Sequence, residues 1–217
     1  MNTSRLHSGI LALLCALALA PLPALQAAVV YSGVQDVSIP FTLDGVYVNV
    51  ATGATSTTQP GTWDTAPWIN PFYGGTLIAS NSVLRPSVVT GISGNERVLN
   101  LPSSTLIDAA QHFAAGYNGS DSHIGAAADQ FQTGSPGLLG FSFDLSGSTY
   151  YGWMRMTPSN SSSGTVVDWA YEDTPNTALL AGITTSAAPE PQRLTLLLLA
   201  STSLLLRRQR RCGPVWH

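Results

Sequence analysis

The chain has 217 residues, nine Lys and Arg against twelve Asp and Glu, and a formal net charge of -3. That balance mixes two populations: between Ala28 and Ala188 the only cations are Arg85, Arg97 and Arg155, against eleven acids, giving about -8 with no lysine. Nucleic acid and anionic lipid surfaces are excluded as partners of that region, because phosphate binding needs clustered Lys and Arg.

Met1 to His7 carries Arg5 and no acid, Ile10 to Ala20 is apolar, and Pro21-Leu22-Pro23 breaks the run before the small residues Ala27 and Ala28. This order of basic, apolar and small residues is that of a secretory signal peptide over residues 1–27, cut after Ala27 or Ala28. A lipoprotein reading of Cys15 fails because Leu14 precedes it where a small residue is needed. The second cysteine, Cys212, also lies in a segment expected to be removed, so the mature chain has no disulfide and depends on a packed core. About 160 residues suffice for one such core.

From residue 28 the pattern is strand and turn. Val29 to Ser32 and Asp36 to Ile39 are short β-prone runs, and Phe41 to Val50 alternates around a turn at Asp44-Gly45. A Gly/Thr/Ser loop follows over Thr52 to Pro60. Thr76 to Ala79, Ser87 to Val89 and Arg97 to Leu99 read as strands, and Leu106 to Ala115 as the single short helix. Leu138 to Leu145, Tyr150 to Met156 and Thr165 to Tyr171 form an antiparallel meander, and Thr177 to Ile183 closes a sheet. Many short runs rich in Thr, Val and aromatics predict an all-β fold, a β-sandwich or jelly roll with at most one short helix, over residues 28–186.

The end of the chain is distinct. Ala188-Pro189-Glu190-Pro191-Gln192-Arg193 leads into the leucine-rich run Leu194 to Leu206, then Arg207, Arg208, Arg210 and Arg211. The prolines hold a stiff, non-helical spacer, the run is a lipid-partitioning helix, and the arginines keep its end cytoplasmic. Thirteen residues make roughly 20 Å of helix against a hydrocarbon core of about 30 Å, which favours a temporary hold over a permanent anchor.

This arrangement resembles the PEP-CTERM sorting signal of Gram-negative bacteria, here Pro189, Glu190 and Pro191 within residues 187–211, with an unusual extension over 212–217. Tyr150-Tyr151-Gly152-Trp153-Met154-Arg155, Val167 to Glu172, Leu180-Ala181-Gly182 and the opening Val29 to Gly33 with Phe41 to Gly45 are similar to segments of many proteins that carry it. The resemblance implies Sec export, transient inner-membrane anchoring, cleavage by an exosortase, and release to the cell surface or extracellular matrix alongside exopolysaccharide. It implies no catalytic residues.

Trp63-Asp64-Thr65-Ala66-Pro67-Trp68-Ile69-Asn70-Pro71-Phe72-Tyr73 is an aromatic Pro/Gly loop in which Trp63, Trp68 and Tyr73 stack on sugar faces while Asp64 and Asn70 make polar contacts; the competing reading has Trp68 and Phe72 plugging the sandwich. His112 and His123, with Asp121, supply at most three zinc ligands, and Ser120 or Ser122 imitates a nucleophile, but no metal or hydrolase motif surrounds them. No cofactor is expected, with calcium at Asn118, Asp121 and Asp129 as the alternative. Glu172 and Asp173 point apart on a strand, whereas Asp168 and Glu172 share a face, where Arg155 pairs with one of them. The expected function is a non-catalytic, exosortase-sorted matrix protein; the alternatives are an exopolysaccharide-binding module and, third, a glycan hydrolase using those carboxylates.

Overall fold

The computed structural model describes residues 28–73, 77–89, 97–118, 124–159 and 164–185; the expected signal peptide and sorting tail lie outside them. Every regular element among the described residues is a strand, so this part of the chain is all-β.

The meander is the framework. Strands β11 (Gly137–Leu145), β12 (Ser148–Thr157) and β13 (Gly164–Glu172) pair antiparallel. Ser146 and Gly147 join the first two with φ of 51° and 79°. Positive φ at both central residues is the type I′ geometry, whose twist matches that of the flanking strands. The sheet is completed by β1 (Val29–Tyr31) and β2 (Val37–Ile39) on β13, and by β7 (Leu84–Pro86) and β8 (Asn100–Leu101) on β11.

A five-stranded sheet faces it, in the order β10 (Gly116–Asn118), β6 (Leu77–Ser80), β5 (Trp68–Tyr73), β3 (Tyr47–Asn49) and β4 (Thr55–Ser56). The main core lies between the sheets: Leu139, Phe141, Phe143, Met154, Met156, Val166 and Trp169 meet Val48, Ile69 and Ile78. Val166 and Trp169 reach the same face at a spacing of three because Arg155 pairs with Asp168 and Met156 with Val166, leaving Val167 as the extra residue of a β-bulge. The Val167 carbonyl is turned outward and accepts from the backbone N–H groups of Gln35 at 2.8 Å and Asp36 at 3.2 Å. Those bonds hold the arch that divides the edge into β1 and β2.

The opposite face of the seven-stranded sheet is buried as well. The ladder β9 (Leu106–Ile107) with β14 (Leu179–Leu180) lies over it, and Leu101, Ile107, Tyr151, Trp153, Ala170, Leu179 and Ala181 form a second core. The molecule is thus a two-sheet sandwich with a small third layer.

Three sequence expectations change. Leu106 to Ala115 forms no helix: Ile107 pairs with Leu179 across the third layer, and Asp108 caps the next turn by accepting from the Ala110 N–H at 2.9 Å. A short Asp side chain that bonds its own backbone competes directly with helix formation. Phe41 to Asp44 forms bends rather than a strand, leaving Phe41 and Leu43 60% and 71% exposed. Thr177 to Ile183 contributes a strand, but to the third layer instead of a main sheet.

Candidate functional site

The aromatic loop folds inward. Trp63 is only 9% exposed and meets Tyr47 edge to face, with centroids 5.3 Å apart at 87°. Trp68 is buried and donates its indole N–H to the Thr62 hydroxyl at 3.0 Å. Asn70 is fully buried and donates to the Asp44 carbonyl. Asn81, which sequence reasoning missed, fastens the loop: its amide donates to the carbonyls of Trp63 and Ala66, while its oxygen accepts from Val83 N–H at 2.8 Å and Leu84 N–H at 2.7 Å. Of the proposed ligand set only Asp64 is exposed; Tyr73 lies on β5, with its side chain outside the described residues. The expected sugar platform at Trp63 and Trp68 is therefore replaced by a plug, because burying two indoles outweighs leaving them on a wet surface.

The carboxylates form two different environments. Asp168 and Glu172 share the outer face of β13, as expected, and Asp173 turns to solvent. Asp168 is 1% exposed; its Oδ2 accepts from the Tyr31 hydroxyl at 2.8 Å, and its Oδ1 lies 3.3 Å from Arg155 Nε. That last contact is ionic only, since Oδ1 has no aligned hydrogen-bond donor. The Arg155 guanidinium sits 5.5 Å from the Trp153 ring centroid, a cation–π contact. The bond to Asp168, then burial, raises the Tyr31 hydroxyl above its ordinary pKa. Burial also raises Glu172, the nearby Asp173 charge adds to it, and the Thr174 N–H opposes it.

A polar cleft of about 390 Å³ opens on the outer face beside the third layer, lined by Arg85, Gln111, His112, Phe113, Thr149 and Tyr151. The strand period builds it: because Phe141 and Phe143 point inward, Ser142 and Asp144 point out. Asp144 Oδ2 accepts from Arg85 at 2.8 Å and Oδ1 from the Thr149 hydroxyl at 2.7 Å. Gln111 bridges two elements, accepting from the Ser87 hydroxyl at 3.0 Å and donating to the Leu106 carbonyl at 2.7 Å. Phe113 stacks on Tyr151 with centroids 6.0 Å apart and forms one wall, while His112 stands exposed at the rim. Donors, hydroxyls and one apolar wall in an open depression suit a polyhydroxylated ligand.

No family model matches the chain, and neither does any curated protein or solved structure.

Of the residues that line the cleft, only His112 is a candidate site residue by sequence. Its expected companions Ser120, Asp121, Ser122 and His123 lie outside the described residues, as does the Asn118 side chain. Asp129, the other calcium candidate, is engaged by Arg97. Among the described residues no three His, Cys, Asp or Glu side chains come together as a metal site.

Proposed function

We propose that this protein is a non-catalytic component of an extracellular matrix, exported through its signal peptide, held briefly in the inner membrane and released by an exosortase at Pro189-Glu190-Pro191. The supporting observation is how its carboxylates are tied. Asp144, tied to two residues that line the outer-face cleft, has one oxygen on Arg85 and the other on Thr149. A carboxylate whose two oxygens are taken by a guanidinium and a hydroxyl orients its neighbours and leaves neither oxygen free for a substrate. Asp168 is buried, with one oxygen on the Tyr31 hydroxyl and the other in ionic contact with Arg155.

The cleft favours a second element of the reading, contact with exopolysaccharide on this face rather than through the Trp63 loop. Affinity electrophoresis of the purified protein through matrix polysaccharide tests it. Retardation that is lost in the His112→Ala/Phe113→Ala double variant and kept in Asp64→Ala supports the cleft. An unretarded wild type restricts the protein to a scaffolding role, and measurable glycan cleavage removes the non-catalytic reading. Mass spectrometry of surface material tests the address: a dominant form retaining Arg207 to His217 is incompatible with sorting.

A further inference from the structure

We propose that Asp173 is the receptor for the mature N-terminus, and that the signal peptide is therefore cut after Ala27 and not after Ala28. The inference rests on the export reading given above and deepens it.

Residue 28 is held at both of its polar ends by one partner. The Ala28 N–H donates to Asp173 Oδ1 at 2.9 Å, and the Asp173 N–H donates to the Ala28 carbonyl at 2.9 Å. The Thr174 hydroxyl, 3.2 Å from the same oxygen, orients the carboxylate. From there the register runs on without a slip, Val29 against Glu172, Val30 against Tyr171 and Tyr31 against Ala170.

In the uncut chain the Ala28 nitrogen is an amide with one proton and no charge. Hydrolysis of the Ala27–Ala28 bond consumes one water, leaves a carboxylate on Ala27, and turns that nitrogen into an ammonium. The donor facing Asp173 is then a cation, and a charge-assisted hydrogen bond replaces a neutral-donor one. The titratable groups facing this end are Asp173, just past β13, and Glu172 and Tyr171 on that strand, with Tyr150 of β12 beyond them. All are acids, so each either favours the ammonium or is silent when protonated. β1 has three residues at a sheet edge, where a tie at the first residue governs fraying. A cut one residue later discards both Ala28 bonds.

The sign follows from the amine. An α-amino group ordinarily titrates at about 7.7–8.0. A carboxylate partner raises that value in the folded state, so the added stability is present below the ordinary pKa and is lost as pH rises through the raised one.

The test uses two preparations: the exported protein, and the full chain carrying a protease site that leaves Ala28 as its first residue. N-terminal sequencing of the first should read Ala28, and NMR titration of the amine in either should give a pKa raised by about half a unit or more, returning to the ordinary range in Asp173→Asn. An exported chain beginning at Val29 overturns the receptor while leaving export standing. A chain that keeps Met1 removes the export reading; the protease-released form then decides the receptor alone, a raised amine supporting it and an ordinary amine overturning it.

Discussion

The indole N–H of Trp153 donates to the backbone carbonyl of Ile183 across 3.0 Å, joining the middle of the longest strand to the last turn of the fold. The ring is fully buried, tilted against Tyr31 at 6.3 Å, and covered by the third layer. Trp153→Ala should cost about 3–5 kcal/mol by chemical denaturation. Trp153→Phe retains most of the packing but leaves the Ile183 carbonyl without its donor, and should cost about 1–3 kcal/mol. Equal stability of wild type and alanine variant would mean that the third layer contributes nothing to cooperative folding.

Arg155 and Asp168 form an asymmetric pair: the guanidinium side chain is 36% exposed and the carboxylate 2%. Removing the arginine strands a buried anion, whereas removing the acid frees a cation that water already reaches. Arg155→Ala should therefore destabilise by about 1–3 kcal/mol, a range kept low because solvent screens the arginine end. The double variant Arg155→Ala/Asp168→Asn should recover part of the loss, as a double-mutant cycle in urea will measure.

Glu172 carries the pH dependence of the β1 edge. Burial holds its folded pKa above the ordinary 4.5. In the window between those two values the folded state binds more protons than the unfolded state, so stability falls as pH rises through it. Glu172→Gln should raise the melting temperature at pH 7, keeping an acceptor for the Thr174 N–H, and the advantage should vanish near pH 4. An advantage that persists at pH 4 would point to packing instead of charge.

Gly152 is required by close approach. A Cβ there would stand 2.4 Å from the Phe141 ring, which is itself locked in the main core, and 2.7 Å from the Ala170 carbonyl. Gly152→Ala should cost about 1–3 kcal/mol. Gly140→Ala points at the flexible Leu101 side chain and should cost less. Reversal of that order in thermal melts would show that the sheet relaxes more readily than the leucine.

Much of the fold was legible because strand period and turn chemistry are local. The alternation of Leu138 to Leu145 and Tyr150 to Met156 specifies the first hairpin of the meander, and the sequence pairs Arg155 with a carboxylate on the neighbouring strand, which the register resolves as Asp168. The inward turn of Trp63 was not legible. Its burial depends on Tyr47 and on Asn81, 18 residues later, and a loop sequence rich in Pro and aromatics reads the same whether its rings face water or core. The cleft was equally hidden, since Arg85, Gln111, Ser142 and Thr149 come from four segments and only His112 beside them is a candidate site residue by sequence.

The sequence by itself determined that the domain over residues 28–186 is all-β in its described part, because period-two patterning and turn residues act over a few positions and need no partner to be read. Tertiary structure alone decided that the seven-stranded sheet is covered on both faces. Tyr150 to Met156 is apolar at nearly every position, which is compatible with two buried faces, but the second cover is supplied by Ile107 and Leu179, 72 residues apart in the chain. That long-range demand also overrode the helical reading of Leu106 to Ala115: a backbone that must lie flat over Trp153 gains more from burying Ile107 against the sheet than from closing its own turns.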